Sequence, residues 1–309
     1  MKYAFIGRHA KVWPVVVQCA VLEVSASGYR QHRAREKAGN EAGKAEAGKP
    51  GESRPRGRMG EMALTVHVKA TFHEMKGAYG WPRLWRELRA RGVPVGKERV
   101  RKLMKKNGLQ ARGRRRFKVT TDSSHGLPVS PNLLERKFGV QEPNRVWTGD
   151  VTYVWTGEGW LYLAVVLDLF SRQIVGFAMA ETMTRQLVID ALTMAWFRRK
   201  PAPGLIFHSD RGSQYASGDF QAQLAAFAML GSMSRKGDCW DNAVTETLFG
   251  SLKVERLHGM RFDTRRAAKD EIMDWMQFYN ARRLHSTLGY ISPMAYEEKR
   301  LGEEKKSAA

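Results

Sequence analysis

The sequence has few cysteines, a deficit of acidic residues and almost no long apolar runs. Its two cysteines, Cys19 and Cys239, lie far apart and neither has a CxxC partner, which argues against a disulfide framework or a cysteine zinc site. This usage favours a reducing cytoplasm. Outside residues 12–24, no stretch approaches the roughly 20 apolar residues that span a bilayer. We therefore expect a soluble, cytoplasmic protein with no membrane partner.

The first residues superficially resemble a secretion signal, because basic side chains precede the apolar run at residues 12–24. Pro14, Gln18 and Glu23 interrupt that run and argue against export. We expect an N-terminal helical segment over residues 1–32, with secretion as the alternative.

Basic residues are abundant. The chain has 52 Lys and Arg against 31 Asp and Glu, a net charge of +21. Residues 76–118 alone hold 16 of the basic residues and only two acids, Glu87 and Glu98. A surplus concentrated in this way indicates a polyanionic partner such as DNA.

The composition along the chain divides it into domains and linkers. Residues 33–61 are rich in Gly, Ala and alternating charge, and residues 118–143 are basic and then rich in Ser, Gly and Pro. Both segments have little to bury and are predicted to be flexible linkers. The predicted domains are a helix-turn-helix domain at 62–117 and a catalytic core with C-terminal helices at 144–299, followed by a disordered tail at 300–309.

Two short helices are predicted within the basic segment. The first opens near Pro82, and the second, residues 97–107, directs Val100, Leu103 and Met104 inward. A tight turn between two such helices favours a helix-turn-helix unit, although a solvated basic face on an ordinary helical hairpin is the alternative. The candidate DNA contacts on the second helix are Arg99, Arg101, Lys102, Lys105 and Lys106.

After residue 144 the periodicity changes to that of strands. Three strand-like runs at 146–155, 160–168 and 173–180 predict an antiparallel meander, and alternating helices and short strands follow. The predicted fold class is α/β: a ribonuclease H-like mixed five-stranded sheet flanked by helices, preceded by a small all-α helix-turn-helix region.

Three acids are candidates for one metal site. Asp150 interrupts an apolar strand, Asp210 ends another, and Glu246 lies on a predicted helix. A buried acid is costly unless it is paired or bound to metal, and carboxylates are the oxygen ligands that Mg²⁺ prefers. Each could instead be an ordinary salt-bridged carboxylate, and Asp168, at the end of the second strand, competes with Asp150. Asp241 is interpreted as a helix N-cap.

The spacing of these acids carries a resemblance, since 35 residues separate Asp210 from Glu246. Further motifs accompany this spacing: KGAYG at 76–80, WTGDVTY at 147–153, DLFSR at 168–172, HSDRGSQY at 208–215, Asp-Asn-Ala at 241–243 and YNARRLHS at 279–286. In these motifs the chain resembles integrase-core transposases with the Asp, Asp-35-Glu signature, and in particular the downstream-frame (OrfB) product of bacterial insertion sequences of the IS-three family. Gly149 departs from the family, which more often has Thr or another residue there.

The resemblance implies that Asp150, Asp210 and Glu246 hold two Mg²⁺ ions, for which Mn²⁺ can substitute. The enzyme would nick the element's ends and join each 3′-hydroxyl to a target phosphodiester. The family also has a basic residue seven positions after the glutamate, here Lys253, and two helical turns would place it on the same face as Glu246. It is predicted to bind a DNA phosphate, with a solvated surface lysine as the alternative.

The resemblance brings three more residues near the site without a defined role, His208, Gln214 and Tyr215. His208 is interpreted first as a packed strand residue. Residues 279–293 resemble the family's C-terminal signature and are expected to close the fold beneath the catalytic helix. There, Tyr279 and Leu288 are expected to pack, and DNA contact by Arg282 or Arg283 is the weaker hypothesis.

The expected partners are the element's terminal repeats and target DNA, a homo-oligomer assembled on DNA, and an upstream-frame (OrfA) protein or fusion. The expected location is the nucleoid-associated cytoplasm. Two other functions stay open: a DNA-binding regulator with an inert core, and a structure-specific nuclease that cuts without joining.

Overall fold

The chain was analysed as a computed structural model, which describes residues 2–10, 12–41, 59–113, 129–136, 138–235 and 242–307. It divides into two compact units, Met1–Arg112 and Gly113–Ala309, and each is described by itself. Within the described residues, no helix is both long enough and apolar enough to cross a membrane.

The described residues of the first unit form helices joined by turns. Ile6, Cys19 and Tyr29 form a small buried cluster, and the buried Gln18 side chain donates to the carbonyls of His9 and Trp13. The apolar run near the N-terminus is therefore part of a packed helical layer. The helices described are α1 (Lys2–His9), α2 (Val15–Val21), α3 (Ala26–Glu41), α4 (Glu61–Glu74), α5 (Trp81–Ala90) and α6 (Lys97–Lys106).

Helices α5 and α6 form the predicted pair. Gly92 lies between them at a φ of 77°, a left-handed conformation that glycine adopts without strain. The three residues predicted to point inward from α6, Val100, Leu103 and Met104, are all buried. The predicted linker at 33–61 begins too early, because α3 continues to Glu41; residues 42–58 lie outside the described part.

The second unit is built on a five-stranded sheet in the order β3-β2-β1-β4-β5. Strands β1, β2 and β3 are antiparallel neighbours, while β4 is parallel to both β1 and β5. This is the mixed sheet that the sequence predicts. The strands are β1 (Val146–Thr156), β2 (Gly159–Asp168), β3 (Ile174–Ala180), β4 (Ile206–Ser209) and β5 (Leu230–Met233).

Helices cover both faces of the sheet. One core, under the helix Arg185–Arg199, includes Trp147, Val166 and Leu192. The core on the opposite face includes Leu163, Leu248 and Trp275. Alternate strand residues point to opposite faces, so β1 and β2 supply both cores. The helices are α7 (Arg185–Arg199), α8 (Ser213–Ala216), α9 (Gly218–Ala226), α10 (Ala243–Leu252), α11 (Arg265–Ala281) and α12 (Pro293–Ser307), with a π turn at Lys253–Leu257 and a 3₁₀ turn at Ser286–Leu288.

Two predicted irregular segments are partly wrong. The tail predicted at 300–309 is helical as far as Ser307, because it continues α12. In the linker predicted at 118–143, Leu134 is buried against Val146 and Leu169 and so belongs to the core. An apolar side chain in a Ser- and Pro-rich segment can still be buried when the segment packs against the sheet. Residues 114–128 lie outside the described part.

Candidate active site

Sheet register brings two of the three candidate acids together. Gly149 of β1 is the partner of Ser209 of the parallel strand β4. Asp150 and Asp210 each follow one residue later, so they leave the paired region side by side. Residues at matching positions of adjacent strands are neighbours, so the parallel pairing of β1 and β4 places Asp150 beside Asp210, as the sequence pattern predicts.

Each aspartate is oriented by a nearby backbone amide. The Val151 N–H donates to Asp150 Oδ1 at 2.7 Å, and the Gly212 N–H donates to Asp210 Oδ1 at 2.9 Å. Both carboxylates are half-buried. Hydrogen bonds of this kind stabilise the ionised form and hold each carboxylate at the sheet edge.

Glu246 reaches the site from α10, on the face of the sheet that α11 also covers. The Thr148 and Thr245 hydroxyls form a buried hydrogen bond of 2.8 Å that ties α10 to β1. Glu246 is the next residue along the helix, and its side chain is exposed. The predicted N-cap Asp241 lies outside the described residues, and Asn242 occupies the N-cap position.

The three acids share one electrostatic environment. Burial raises the pKa of Asp150 well above its usual range, and the charges of Asp210 and Glu246 raise it further. The Val151 amide and Lys253 oppose that rise. Burial and the charge of Asp210 also raise the pKa of Glu246. The site therefore holds more negative charge than its surroundings compensate, as expected where a cation binds.

The donor set suits a hard divalent cation, because it consists of carboxylate oxygens. Within the described part of the chain, no three His, Cys, Asp or Glu side chains are already grouped closely enough to hold a metal ion. The two aspartates are adjacent by register, and the exposed Glu246 is the outlying member. The chemistry of the site fits the metal, although the described residues do not form a closed ligand cage.

Lys253 lies beside this site on the π turn that continues α10. Its ammonium lies 5.5 Å from the centre of the Tyr153 ring. Burial lowers the pKa of Lys253, and the charge of Asp150 acts in the opposite direction. The two helical turns expected between Glu246 and Lys253 are followed by a change to π geometry, which begins at Lys253. Single π turns are often found at functional sites.

A buried ion pair anchors the π turn. Arg283 donates to Glu255 at 2.6 and 2.8 Å, and the Trp275 indole N–H donates to the same carboxylate at 3.3 Å. Arg283 is 3% exposed. The hypothesis that Arg283 contacts DNA is therefore wrong, since its guanidinium is committed inside the fold. Tyr279 and Leu288 are buried, in keeping with their expected packing role.

Asp168, the alternative to Asp150, and His208 both have structural roles. Asp168 is fully buried and accepts hydrogen bonds from the amides of Asn144 and Phe170 at 2.7 and 2.8 Å. It is paired with Trp147 in the sheet, away from the open end that holds Asp150. His208 is fully buried, and its ring contacts the Ser232 hydroxyl at 2.9 Å.

Tyr215 and Gly149 form the floor of the site. The charges of Asp150 and Asp210, together with burial as the largest cause, raise the pKa of Tyr215 well above its usual range. A Cβ added to Gly149 would lie 2.4 Å from Phe207 Cζ and 3.3 Å from the Tyr215 hydroxyl. The glycine before Asp150 thus makes room for a phenylalanine, which sequence patterning alone did not reveal.

The basic side chains of α6 divide into two groups. Arg99 is half-buried and donates to the Met59 carbonyl at 2.7 Å, Lys106 pairs with Glu61 at 2.6 Å, and Arg101 pairs with Glu98 at 2.9 Å. These three residues contribute to the packing and surface pairing of their own unit. The other two predicted DNA contacts, Lys102 and Lys105, are exposed on the surface of α6.

Three family profiles match the chain. Two are described as integrase core domains and match residues 140–239 and 246–301. The third is an HTH-like domain that matches residues 61–117. Together they cover the acidic site, the C-terminal helices and α4 to α6.

Several known proteins are similar to it. The chain is 42% identical over 305 residues to the transposase InsF for insertion sequence IS3A of Escherichia coli (strain K12), covering 97% of this chain and all of the relative. It is 45% identical over 237 residues to a 31 kDa protein of insertion element IS600 of Shigella sonnei, covering 76% of this chain and 87% of the relative. A solved simian T-cell lymphotropic virus intasome, in complex with PP2A regulatory subunit B56 gamma, shares 16% identity over 71% of this chain and 70% of its own, with a TM-score of 0.41. That last likeness is too distant to add to the other two.

Proposed function

Because the chain belongs to the IS3 family of transposases, which contain an integrase core domain, we propose that Asp150, Asp210 and Glu246 form its catalytic site. The adjacency of Asp150 and Asp210 at the open end of β1 and β4 is the observation that carries the proposal. The reaction is strand cleavage at the ends of an insertion sequence, followed by transfer of the 3′-hydroxyl to a target phosphodiester.

The three carboxylates are proposed to hold two Mg²⁺ ions, with Mn²⁺ as a substitute. Bound there, the ions supply positive charge to the reacting phosphate and activate the attacking oxygen. The amides of Val151 and Gly212 orient the two aspartates. Glu246, the exposed member, completes the set from α10.

Lys253 is proposed to bind the phosphate next to the one that is cut. Its position beside Asp150 and Tyr153 supports this role, since an ammonium there attracts the DNA backbone towards the carboxylates. Tyr215 is proposed to pack beneath the site as a neutral phenol, since it is buried and burial, with the charges of Asp150 and Asp210, raises its pKa.

The test is a cleavage and joining assay with the element's own end sequences and Mg²⁺. We expect Asp150→Asn, Asp210→Asn and Glu246→Gln each to abolish both reactions while the DNA remains bound. Asp190→Asn is the matched control, since Asp190 is an exposed acid of α7 away from the sheet edge. An active Asp210→Asn enzyme would refute the proposal. Cutting of ends without joining of a pre-cut end would instead identify a nuclease.

We propose that the helix-turn-helix unit binds the terminal repeats through Lys102 and Lys105. Each phosphate contact contributes roughly 0.9 to the slope of log affinity against log salt for duplex DNA. Replacing both lysines with Ala should therefore flatten that slope by about 2. Lys299→Ala, at an exposed lysine of α12, is the control and should leave the slope unchanged. If the Lys102 and Lys105 double variant and Lys299→Ala had the same salt slope, α6 would be excluded as the DNA contact.

Assembly on DNA is proposed to involve several copies of the chain in the nucleoid-associated cytoplasm, with an upstream-frame (OrfA) protein as a partner. The joining of two element ends in one reaction requires two sites, and a homo-oligomer supplies them. Sedimentation of the chain with end DNA, with and without the upstream product, tests this directly.

A further inference from the structure

Three aromatic side chains are exposed at the outer half of the β1–β2 hairpin. Tyr153, Trp155 and Trp160 are 36%, 60% and 41% exposed. The register pairs Trp155 with Trp160 and Tyr153 with Tyr162, so these rings share one face of the hairpin. Tyr153, Trp155 and Trp160 are referred to below as the aromatic ledge.

The ledge is ordered even though it is exposed. The Trp160 ring meets the Tyr153 ring edge-on with centroids 4.9 Å apart, and it meets the Trp155 ring edge-on at 4.7 Å. Edge-on pairs of this kind stabilise the rings relative to one another while their outer faces stay in water. A contiguous aromatic surface in water is usually a binding surface.

The ledge continues the strand that carries the catalytic aspartate. Strand β4 is paired with β1 only as far as Gly149, so β1 extends from Asp150 onward beyond its parallel neighbour. At about 3.3 Å per residue, Tyr153 lies roughly 10 Å and Trp155 roughly 17 Å from Asp150 along the strand, and their side chains point to the face of the sheet opposite to that of Asp150. Lys253 lies near both faces, since its ammonium is over the Tyr153 ring and the charge of Asp150 acts on it, so a DNA strand at the carboxylates would reach the ledge around this edge of β1.

Basic groups lie at both ends of the ledge. The Lys253 ammonium is 5.5 Å from the Tyr153 ring, and Arg265 Nε donates to the Trp160 carbonyl at 3.1 Å. Arg265 also pairs with Glu181 at 2.9 Å, so its charge is shared. Aromatic rings between cations are the arrangement with which proteins bind single-stranded DNA, because each base has a face that can stack.

We propose that the aromatic ledge stacks unpaired bases of the DNA strand whose phosphate lies at the carboxylates. The inference rests on the function proposed above. One strand of B-form DNA advances 3.4 Å per nucleotide, so a reach of roughly 10–17 Å corresponds to about 3–5 nucleotides from the reacting phosphate. Opening the end of the duplex over that length would hold the strand in place for attack.

DNA explains the position of the ledge better than a protein partner does. A protein interface would need no connection with the catalytic strand, whereas the ledge begins three residues from Asp150 and is contacted by Lys253. Binding of a second copy of the chain at this surface is the competing explanation, and the experiment must be able to detect it.

The experiment measures binding of the full chain, without divalent metal, to two duplexes that carry the element's end sequence. One duplex is fully paired and the other has four unpaired nucleotides at the cleaved end, with 2-aminopurine placed at each position in turn. Trp155→Ala and Trp160→Ala should each weaken binding to the unpaired end by about 5-fold to 100-fold, the range for loss of one stacked base. Trp155→Phe should retain most of the affinity.

The expected pattern is selective. Binding to the fully paired duplex should change less than 2-fold, and the 2-aminopurine signal should respond only within about five nucleotides of the end. Phe197→Ala is the matched control, because Phe197 of α7 is an aromatic residue that is 62% exposed. It should leave both duplexes bound as in the unchanged chain.

Three results would overturn the inference: equal loss of binding for both duplexes, no loss for either, or a change in oligomeric state without any effect on DNA. The binding assay does not depend on catalysis, so Asp210→Asn should show the same preference for the unpaired end. If the unchanged chain cuts and joins DNA but the ledge variants bind normally, the inference fails and the proposed function stands. If the chain prefers the unpaired end but does not cut DNA, the inference stands and the proposed function fails.

Discussion

His67 makes the first unit sensitive to acid. It lies on α4, is 3% exposed, and among the described residues neither of its ring nitrogens has a hydrogen-bond partner. The Trp13 and His9 rings meet it edge-on at 4.4 and 5.0 Å, and Phe5 lies at 5.9 Å. Burial, and secondarily the charge of His9, lower the pKa of His67 from 6.5 to about 4.

The magnitude follows from the difference between the folded and unfolded values. Since the folded-state pKa of His67 is the lower one, its contribution to stability is fully present above pH 6.5 and is lost as the pH falls towards 4. The complete loss amounts to about 3 kcal/mol, of which about 2 kcal/mol is lost by pH 5. That is a large part of the stability of a small helical unit.

The assay is hydrogen exchange of the amides of α4, measured by mass spectrometry at pH 7.5 and pH 5 and corrected for the intrinsic exchange rates. The unchanged chain should lose about 30-fold of its protection at pH 5, equivalent to the 2 kcal/mol. His67→Leu removes the titrating group and should lose far less. His73→Gln, at an exposed histidine of the same helix, should behave as the unchanged chain does.

If His67→Leu lost as much protection at pH 5 as the unchanged chain, His67 would not be the source of the acid sensitivity. Loss of the acid sensitivity in His73→Gln would also refute this role for His67. A uniform loss over all helices of the first unit in every variant would assign the effect to other titrating groups.

Two further predictions concern the catalytic unit. Gly149→Thr should lower the unfolding free energy by about 1–3 kcal/mol, because its Cβ would overlap the Phe207 ring. Adding Phe207→Leu should recover part of that loss in thermal denaturation, and a fully stable Gly149→Thr chain would contradict the geometry. Glu255→Met should cost about 3–5 kcal/mol by leaving the buried Arg283 guanidinium without its carboxylate. Adding Arg283→Met should restore most of the denaturant midpoint, and a double variant as unstable as the single one would exclude the ion-pair explanation.

Much of the sheet could be predicted because its strands are bounded by clear turns. The strand predicted at 146–155 is Val146–Thr156, and the strand predicted at 160–168 is Gly159–Asp168. In each case, apolar periodicity and flanking Gly or Ser residues indicate the type and the limits of the element. Irregular segments were harder, because composition alone cannot show that Leu134 finds a buried site against β1.

The π turn at Lys253–Leu257 could not be predicted. The helical pattern continues through it without a Pro or Gly, so local propensity favours an ordinary helix. The turn coincides with the ion pair between Glu255 and Arg283, which are 28 positions apart. Contacts over that distance in the sequence override local preference, and only the folded chain reveals them.

The three acids of the site were predictable to different degrees, for a physical reason. Asp150 and Asp210 are positioned by the backbone register of two adjacent strands, so finding the strands is enough to bring these residues together. Glu246 depends instead on how α10 packs, and the buried Thr148–Thr245 hydrogen bond is the contact that sets its position. A short strand pair tolerates little displacement, whereas the exposed Glu246 side chain, in the first turn of α10, can change its rotamer. We therefore expect the Glu246 carboxylate to move when metal and DNA bind, while the two aspartates stay in place.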